Sequence, residues 1–70
     1  MNDKLAPDAL IEAALLTQIE PLSERAMREL CVPPLSPDKL IDVLSTLKAR
    51  WHNRALQLVH THEGWRFQID

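Results

Sequence analysis

Cysteine and glycine are nearly absent from this sequence of 70 residues, and each shortage excludes a class of protein. The single cysteine cannot form an intrachain disulfide, so the chain is not a disulfide-stabilised scaffold. The single glycine excludes the glycine-rich loops that bind phosphate groups. A core of this size yields only about 3–5 kcal/mol of net stability, so we expect a metal, an oligomer or further chain to add to it.

An excess of positive charge and a long apolar segment are also lacking. Eight Lys and Arg residues against ten Asp and Glu residues give a net charge of −2, which does not indicate a protein whose main task is binding nucleic acid. Residues 1–4 do not resemble a signal peptide, and the longest apolar run, residues 13–16, is too short to cross a bilayer. We therefore expect a cytoplasmic protein with no membrane contact.

Residues 56–69 predict a β-hairpin, because both of its arms alternate between apolar and polar side chains. Gly64 supplies the positive φ that the turn between the arms needs. Only one register keeps one face apolar. It pairs Leu56 with Ile69, Leu58 with Phe67 and His60 with Trp65, and it turns Trp65, Phe67 and Ile69 inward.

Three helices are predicted before the hairpin, over residues 6–18, 24–31 and 37–51. Ser23 and Ser36 are suited to cap the second and third helices, while Pro33-Pro34 prevents the second helix from continuing. Asn53 can take the left-handed conformation that ends the third helix. The third helix has one apolar face, which carries Leu40, Val43, Leu44, Leu47 and Trp51.

Three helices followed at once by a hairpin is the order of a winged helix-turn-helix domain. We therefore predict a small α+β fold, with residues 1–70 forming a single domain whose wing covers the third helix. Residues 20–22 are expected to add a short edge strand beside the hairpin, where proline is tolerated.

Four segments in this order also resemble a known family. They are LIEAALL at residues 10–16, EPLS at 20–23, LQL at 56–58 and GWRF at 64–67. Together they are similar to the amino-terminal winged-helix domain of the segregation and condensation protein B (ScpB) family, over roughly residues 5–69. The order and spacing of the segments carry the resemblance, since each segment alone occurs by chance.

The resemblance implies an accessory subunit of the bacterial SMC condensin complex, with no catalytic site and no cofactor. Such a subunit forms a homodimer, binds the kleisin ScpA and through it SMC, and supports chromosome condensation and segregation at the nucleoid. Two features depart from the family pattern. The second winged helix of the family is expected to be absent from this chain, and Pro33-Pro34 replaces a plainer turn.

DNA binding is the alternative that the fold suggests by analogy. Lys48, Arg50 and Arg54, together with His52, form the best basic cluster and are the candidates for phosphate contact. The same cations also stabilise the carboxyl end of a helix, and Glu63 at the wing tip meets phosphate unfavourably. The alternative function is therefore a winged-helix transcription factor or nucleoid protein, with weak nonspecific DNA contact.

Metal binding and catalysis have little support in the sequence. His60, His62 and Cys31 include no pair at the spacing of a structural metal site, and we interpret His60 as partly buried and His62 as exposed. Cys31 lies at the carboxyl end of the predicted second helix, whereas a reactive thiolate is stabilised at a helix amino terminus. We expect no enzyme activity, no metal and no small-molecule substrate.

The first helix has a second apolar side, which indicates contact with another protein. Ala9, Ala13 and Leu16 lie on this side, away from the side that carries Leu10, Ile11, Ala14 and Leu15. Small alanines also tolerate exposure, so both interpretations stay open. Val59 and Arg66 lie on the outer face of the predicted hairpin, with Val59 exposed. We predict a homodimer through the helix and a kleisin segment along the hairpin, bound as a helix or a strand.

Overall fold

The structure is a computed structural model of the chain, and it describes residues 6–69. Three helices precede an antiparallel pair of strands, in the order that was predicted for a small winged-helix domain. The elements are α1 (Pro7–Thr17), α2 (Glu24–Glu29), α3 (Pro37–Arg50), β1 (Leu56–Thr61) and β2 (Gly64–Ile69). No helix within residues 6–69 is long and apolar enough to cross a membrane.

The predicted helix caps are confirmed. The Ser23 hydroxyl accepts a hydrogen bond from the backbone N–H of Ala26 at 3.1 Å, and the Ser36 hydroxyl accepts one from the N–H of Lys39 at 3.2 Å. Each bond satisfies a donor that would otherwise lack a partner in the first turn of its helix. Asn53 has a φ of 65°, as was predicted for the residue that ends α3.

The second helix is two residues shorter than predicted, because the chain leaves the helix before it reaches the prolines. Two hydrogen bonds between Arg28 and Leu35 join the two ends of the loop that follows α2. The Arg28 Nε donates to the carbonyl oxygen of Leu35 at 2.7 Å, while the N–H of Leu35 donates to the Arg28 carbonyl oxygen at 3.1 Å. The loop that contains Pro33 and Pro34 is therefore closed by a reciprocal pair of hydrogen bonds.

The core lies between the three helices and the wing. Its buried side chains are Ile11, Leu15, Met27, Cys31, Leu40, Leu44, Leu47 and Leu58. The predicted apolar faces of the first and third helices are both confirmed. Each of their side chains either belongs to this core or, like Val43 and Trp51, is half-buried. Trp51 also packs against Phe67 of the wing, with 4.8 Å between the ring centroids.

The hairpin has the predicted register, and a bridge from the α1–α2 connection holds it on the helices. The N–H of Trp65 donates to the carbonyl oxygen of Leu22 at 2.8 Å, and the N–H of Leu22 donates to the Trp65 carbonyl oxygen at 2.9 Å. Of the edge strand predicted at residues 20–22, only Leu22 pairs with the sheet. Gly64, the first residue of β2, has a φ of 142°.

Two predictions about the apolar face of the hairpin were wrong. Ile69 was predicted to face the core but is 76% exposed, and His60 was predicted to be partly buried but is exposed. The core covers only the middle of this face, where Leu58 is buried and Phe67 packs against Trp51, the residue that follows α3. His60 instead stacks flat on Trp65, with ring centroids 4.4 Å apart.

Gly64→Ala is expected to destabilise the domain by about 2 kcal/mol or more, through a strained φ and a steric clash. A Cβ at this position would lie 2.3 Å from the carbonyl oxygen of Leu22, inside the contact that holds the wing. Urea unfolding measures the difference in the free energy of unfolding. Glu63→Ala, a change at the neighbouring exposed position, is the control and should stay within about 0.5 kcal/mol of the parent. Equal losses in both variants would contradict the proposed close contact.

Candidate interaction surfaces

The α1 outer surface consists of Ala9, Ala13 and Leu16, and the structure places all three at the solvent. Leu16 is 46% exposed, although it is a large apolar side chain. Ile19, which follows the helix, is 93% exposed and extends the apolar character beyond the predicted set. The opposite side of α1 packs on the core through Ile11 and Leu15. One helix therefore carries both a core face and an exposed apolar face.

The wing outer face contains the two other predicted interface residues, and the structure brings them together. Val59 and Arg66 are directly opposite each other in the hairpin. Arg66 is exposed and donates to the side-chain oxygen of Gln68 at 3.0 Å. Val59 was predicted to be exposed but is half-buried, since neighbouring side chains on the same face of a strand pair shield one another. The pair combines a partly shielded apolar group with an accessible cation.

A network of ion pairs joins the start of α1 to the end of α3. Arg50 donates to the Asp8 carboxylate at 2.6 Å and to the Glu12 carboxylate at 3.0 Å. The indole N–H of Trp51 donates to the second oxygen of Glu12. The hydrogen bond from Arg50 lowers the pKa of Asp8 below its ordinary value, and the same bond raises the pKa of Arg50. These residues hold α1 against α3 next to the wing.

The network changes the interpretation of the predicted basic cluster. Arg50, one of the three residues predicted for phosphate contact, already binds two carboxylates. Lys48 and Arg54 are exposed, and neither forms an ion pair within residues 6–69. The guanidinium carbon of Arg54 lies 5.3 Å from the centroid of the Trp51 ring, a distance suited to a cation–π contact. Of the predicted phosphate contacts, Lys48 and Arg54 are therefore the two without a carboxylate partner within residues 6–69.

The wing tip is acidic on more than one side. Glu63, in the turn of the hairpin, lines a shallow hollow together with Glu20 and Pro21. In a DNA-binding winged helix the wing approaches the phosphate backbone, which requires cations to replace counterions. Two carboxylates at this position oppose such an approach.

Several exposed apolar side chains were missed by the sequence patterns because they lie outside the regular apolar faces. Val32 in the α2–α3 loop is almost fully exposed, and Leu30 beside it is partly exposed. An apolar groove of about 610 Å³ opens here between the loop and the start of α1, with Pro7 and Leu10 in its wall. The Pro33-Pro34 dipeptide was the only sequence signal for this region.

Cys31 lies in the core, and burial raises the pKa of its thiol. A thiol with a raised pKa stays protonated and is a poor nucleophile at neutral pH. Within residues 6–69, no three His, Cys, Asp or Glu side chains come close enough together to hold a metal ion. The exposed surfaces, rather than a buried constellation of polar groups, are therefore the candidate functional sites.

The fold and these surfaces define a small winged-helix domain with an exposed apolar helix face. Comparison with known protein families identifies the family: residues 9–70 match the one described as segregation and condensation complex subunit ScpB. The chain belongs to this family, which confirms the resemblance found in the sequence. It is therefore a subunit of a segregation and condensation complex. No curated protein and no solved structure matched the chain.

The Asp8–Arg50 pair should make stability depend on pH in the acid range. Because the pKa of Asp8 is lowered in the folded state, its contribution is present above the ordinary value of 3.8 and is lost as the pH falls through the folded-state pKa. Urea unfolding between pH 6 and pH 2, in low and high salt, measures this loss. Asp8→Asn should show a smaller decrease in stability on acidification than the parent chain.

Asp42→Asn is the matched control for this measurement, because Asp42 is an exposed carboxylate that forms no ion pair within residues 6–69. It should keep the pH dependence of the parent. An equal pH dependence in Asp8→Asn and the parent would show that the pair with Arg50 does not contribute to stability.

Proposed function

We propose that this chain acts as a non-catalytic adaptor of the bacterial SMC condensin complex. In this role it forms a homodimer through the α1 outer surface, binds the kleisin ScpA and is connected through it to SMC. It works in the cytoplasm, at the nucleoid, in chromosome condensation and segregation. Membership of the ScpB family supports a role in this complex. The exposed apolar side of α1 is the single observation that supports the formation of a homodimer.

The shape of the α1 outer surface suits a contact between two identical helices. Ala9 and Ala13 have short side chains, which allow a second helix to approach closely, while Leu16 supplies apolar area to bury. In a two-fold dimer the same patch is used by both subunits, so one exposed apolar face is sufficient. Burial of this apolar surface in a dimer would also add to the limited stability of a 70-residue chain.

The wing outer face supports the second part of the proposal, which is kleisin binding. Arg66 and Val59 form a mixed polar and apolar patch on the opposite side of the hairpin from Leu58 in the core. Such a patch is typical of contacts between subunits that assemble from separate folded or extended parts.

A DNA-binding winged helix is the alternative function. The observation in its favour is that Lys48 and Arg54 are exposed and form no ion pair within residues 6–69. Arg50 is occupied by Asp8 and Glu12, and the wing tip carries Glu63. Two cations can release few counterions, so DNA affinity through this cluster would be weak and lost at physiological salt.

Leu16→Glu is expected to convert the dimer to a monomer without unfolding the domain, because the new carboxylate would be buried between the two helices. Sedimentation at several protein concentrations measures the mass, and circular dichroism checks the fold. Ile41→Glu is the control: Ile41 is 59% exposed on α3, outside the α1 outer surface, and its replacement should leave the dimer intact. A parent chain that is monomeric at high concentration would refute the proposed dimer.

Residues 1–70 are expected to retain a ScpA-type kleisin in a pull-down, and Arg66→Glu should reduce the retained amount by about tenfold. Arg25→Glu provides a control with the same charge change at an exposed position on α2, where Arg25 pairs with Glu29. Retention that is unaffected by Arg66→Glu would remove the wing outer face from the kleisin site. Failure of the parent chain to retain the kleisin would refute kleisin binding by these residues.

A further inference from the structure

The outer edge of β1 carries backbone groups that point away from the hairpin. Trp65 uses its N–H and carbonyl oxygen to bond Leu22, so these groups face away from β1. In an antiparallel pair, two residues opposite each other are either both bonded to each other or both turned outward. His60, which lies opposite Trp65, therefore turns its N–H and carbonyl oxygen to the other edge.

The same alternation extends along the strand. Leu58 and Leu56 lie two and four residues before His60, opposite Phe67 and Ile69, and their backbone groups also point outward. Outside the β1–β2 ladder, these three residues form no hydrogen bond within the part of the chain that the structure describes. The edge thus offers three donors and three acceptors at the spacing of a β-ladder.

The two edges of the sheet differ in how they are protected. The β2 edge is covered by Leu22, with Pro21 next to it. Within residues 6–69, no segment pairs with the β1 edge. Its sequence LQLVHT contains no proline, Lys, Arg, Asp or Glu, and its register contains no bulge. Proteins normally protect exposed edges with these features to avoid pairing with other chains. An open edge in this position favours pairing with another strand.

Charges at the two ends of β1 have opposite signs. The strand begins two residues after Arg54, which forms no ion pair within residues 6–69, and it ends next to the turn that contains Glu63. The strand itself contains no Lys, Arg, Asp or Glu. A strand that runs antiparallel to β1 would place its carboxyl end near Arg54 and its amino end near Glu63. Acidic residues at the carboxyl end and an uncharged middle would complement this pattern.

We propose that the free edge of β1 binds an extended partner segment, which adds antiparallel to Leu56, Leu58 and His60 as a further strand of the sheet. The segment is uncharged in the middle and acidic at its carboxyl end, where it meets Arg54. Its main-chain hydrogen bonds provide affinity, and the charge at its end sets its direction. The assignment of this segment to the kleisin subunit rests on the proposed function.

Residue-resolved amide hydrogen exchange tests this edge directly. On addition of the kleisin subunit to the isotope-labelled chain, exchange at Leu56, Leu58 and His60 should slow by about tenfold or more. Exchange at Gln57 and Val59, whose amides point into the hairpin ladder, should change little. A helix laid on the wing would not produce this alternation, so binding without the alternating pattern would overturn the proposal.

A pair of variants at one position separates the backbone donor from the side chain. His60→Pro removes the outward N–H, at an edge position that tolerates proline, while His60→Ala keeps the N–H and loses only the stacking on Trp65. Kleisin binding should be about tenfold weaker for His60→Pro than for His60→Ala. Equal affinities of two folded variants, checked by circular dichroism, would overturn the proposal.

A synthetic peptide tests the edge independently of the kleisin. The probe alternates Thr and Val over about eight residues and ends in two Asp residues, and its control ends in two Lys residues. The acidic probe should protect the three outward amides and lose affinity in Arg54→Glu, whereas the basic probe should bind less tightly.

If the kleisin does not bind but the acidic probe does, kleisin binding is refuted and the edge site is supported. Protection of the edge amides in the chain alone at high concentration would identify a second copy as the occupant and overturn the proposal.

Discussion

The pair of backbone hydrogen bonds between Leu22 and Trp65 is the contact on which the rest of the structure depends. It joins the connection after α1 to the wing, two parts of the chain separated by the whole of α2 and α3. The close approach requires Gly64, because any Cβ there would meet the Leu22 carbonyl. The bridge occupies the β2 edge of the sheet, whereas no segment within residues 6–69 pairs with the β1 edge.

Charge in this domain is organised around contacts within the chain. Arg50 binds Asp8 and Glu12, and the indole of Trp51 binds Glu12. These two carboxylates of α1 therefore hold the end of α3. A winged helix that reads DNA needs its cations directed outward, toward phosphate. Here an internal network instead binds Arg50, the central cation of the predicted basic cluster.

Much of the fold was predictable because it depends on local chemistry. Ser23 and Ser36 begin their helices through bonds to residues three positions away, and the hairpin register follows from a two-residue turn and an apolar face. The Arg50 network was not predictable, since its partners lie 38 and 42 residues away in the sequence. Nor was the exposure of Ile69, because alternation shows the face of a strand on which a side chain lies, but not how far the core extends.

The sequence by itself determined the element order, the two sides of α1, the hairpin register and, through four spaced segments, the family. These are properties of local periodicity, capping and turns, which depend on residues close together in the chain. Only the tertiary structure decided which cation of the basic cluster binds carboxylates, which strand edge is covered, and which apolar side chains stay at the surface. These properties depend on contacts between distant segments, and such contacts exist only once the helices and the wing have packed together.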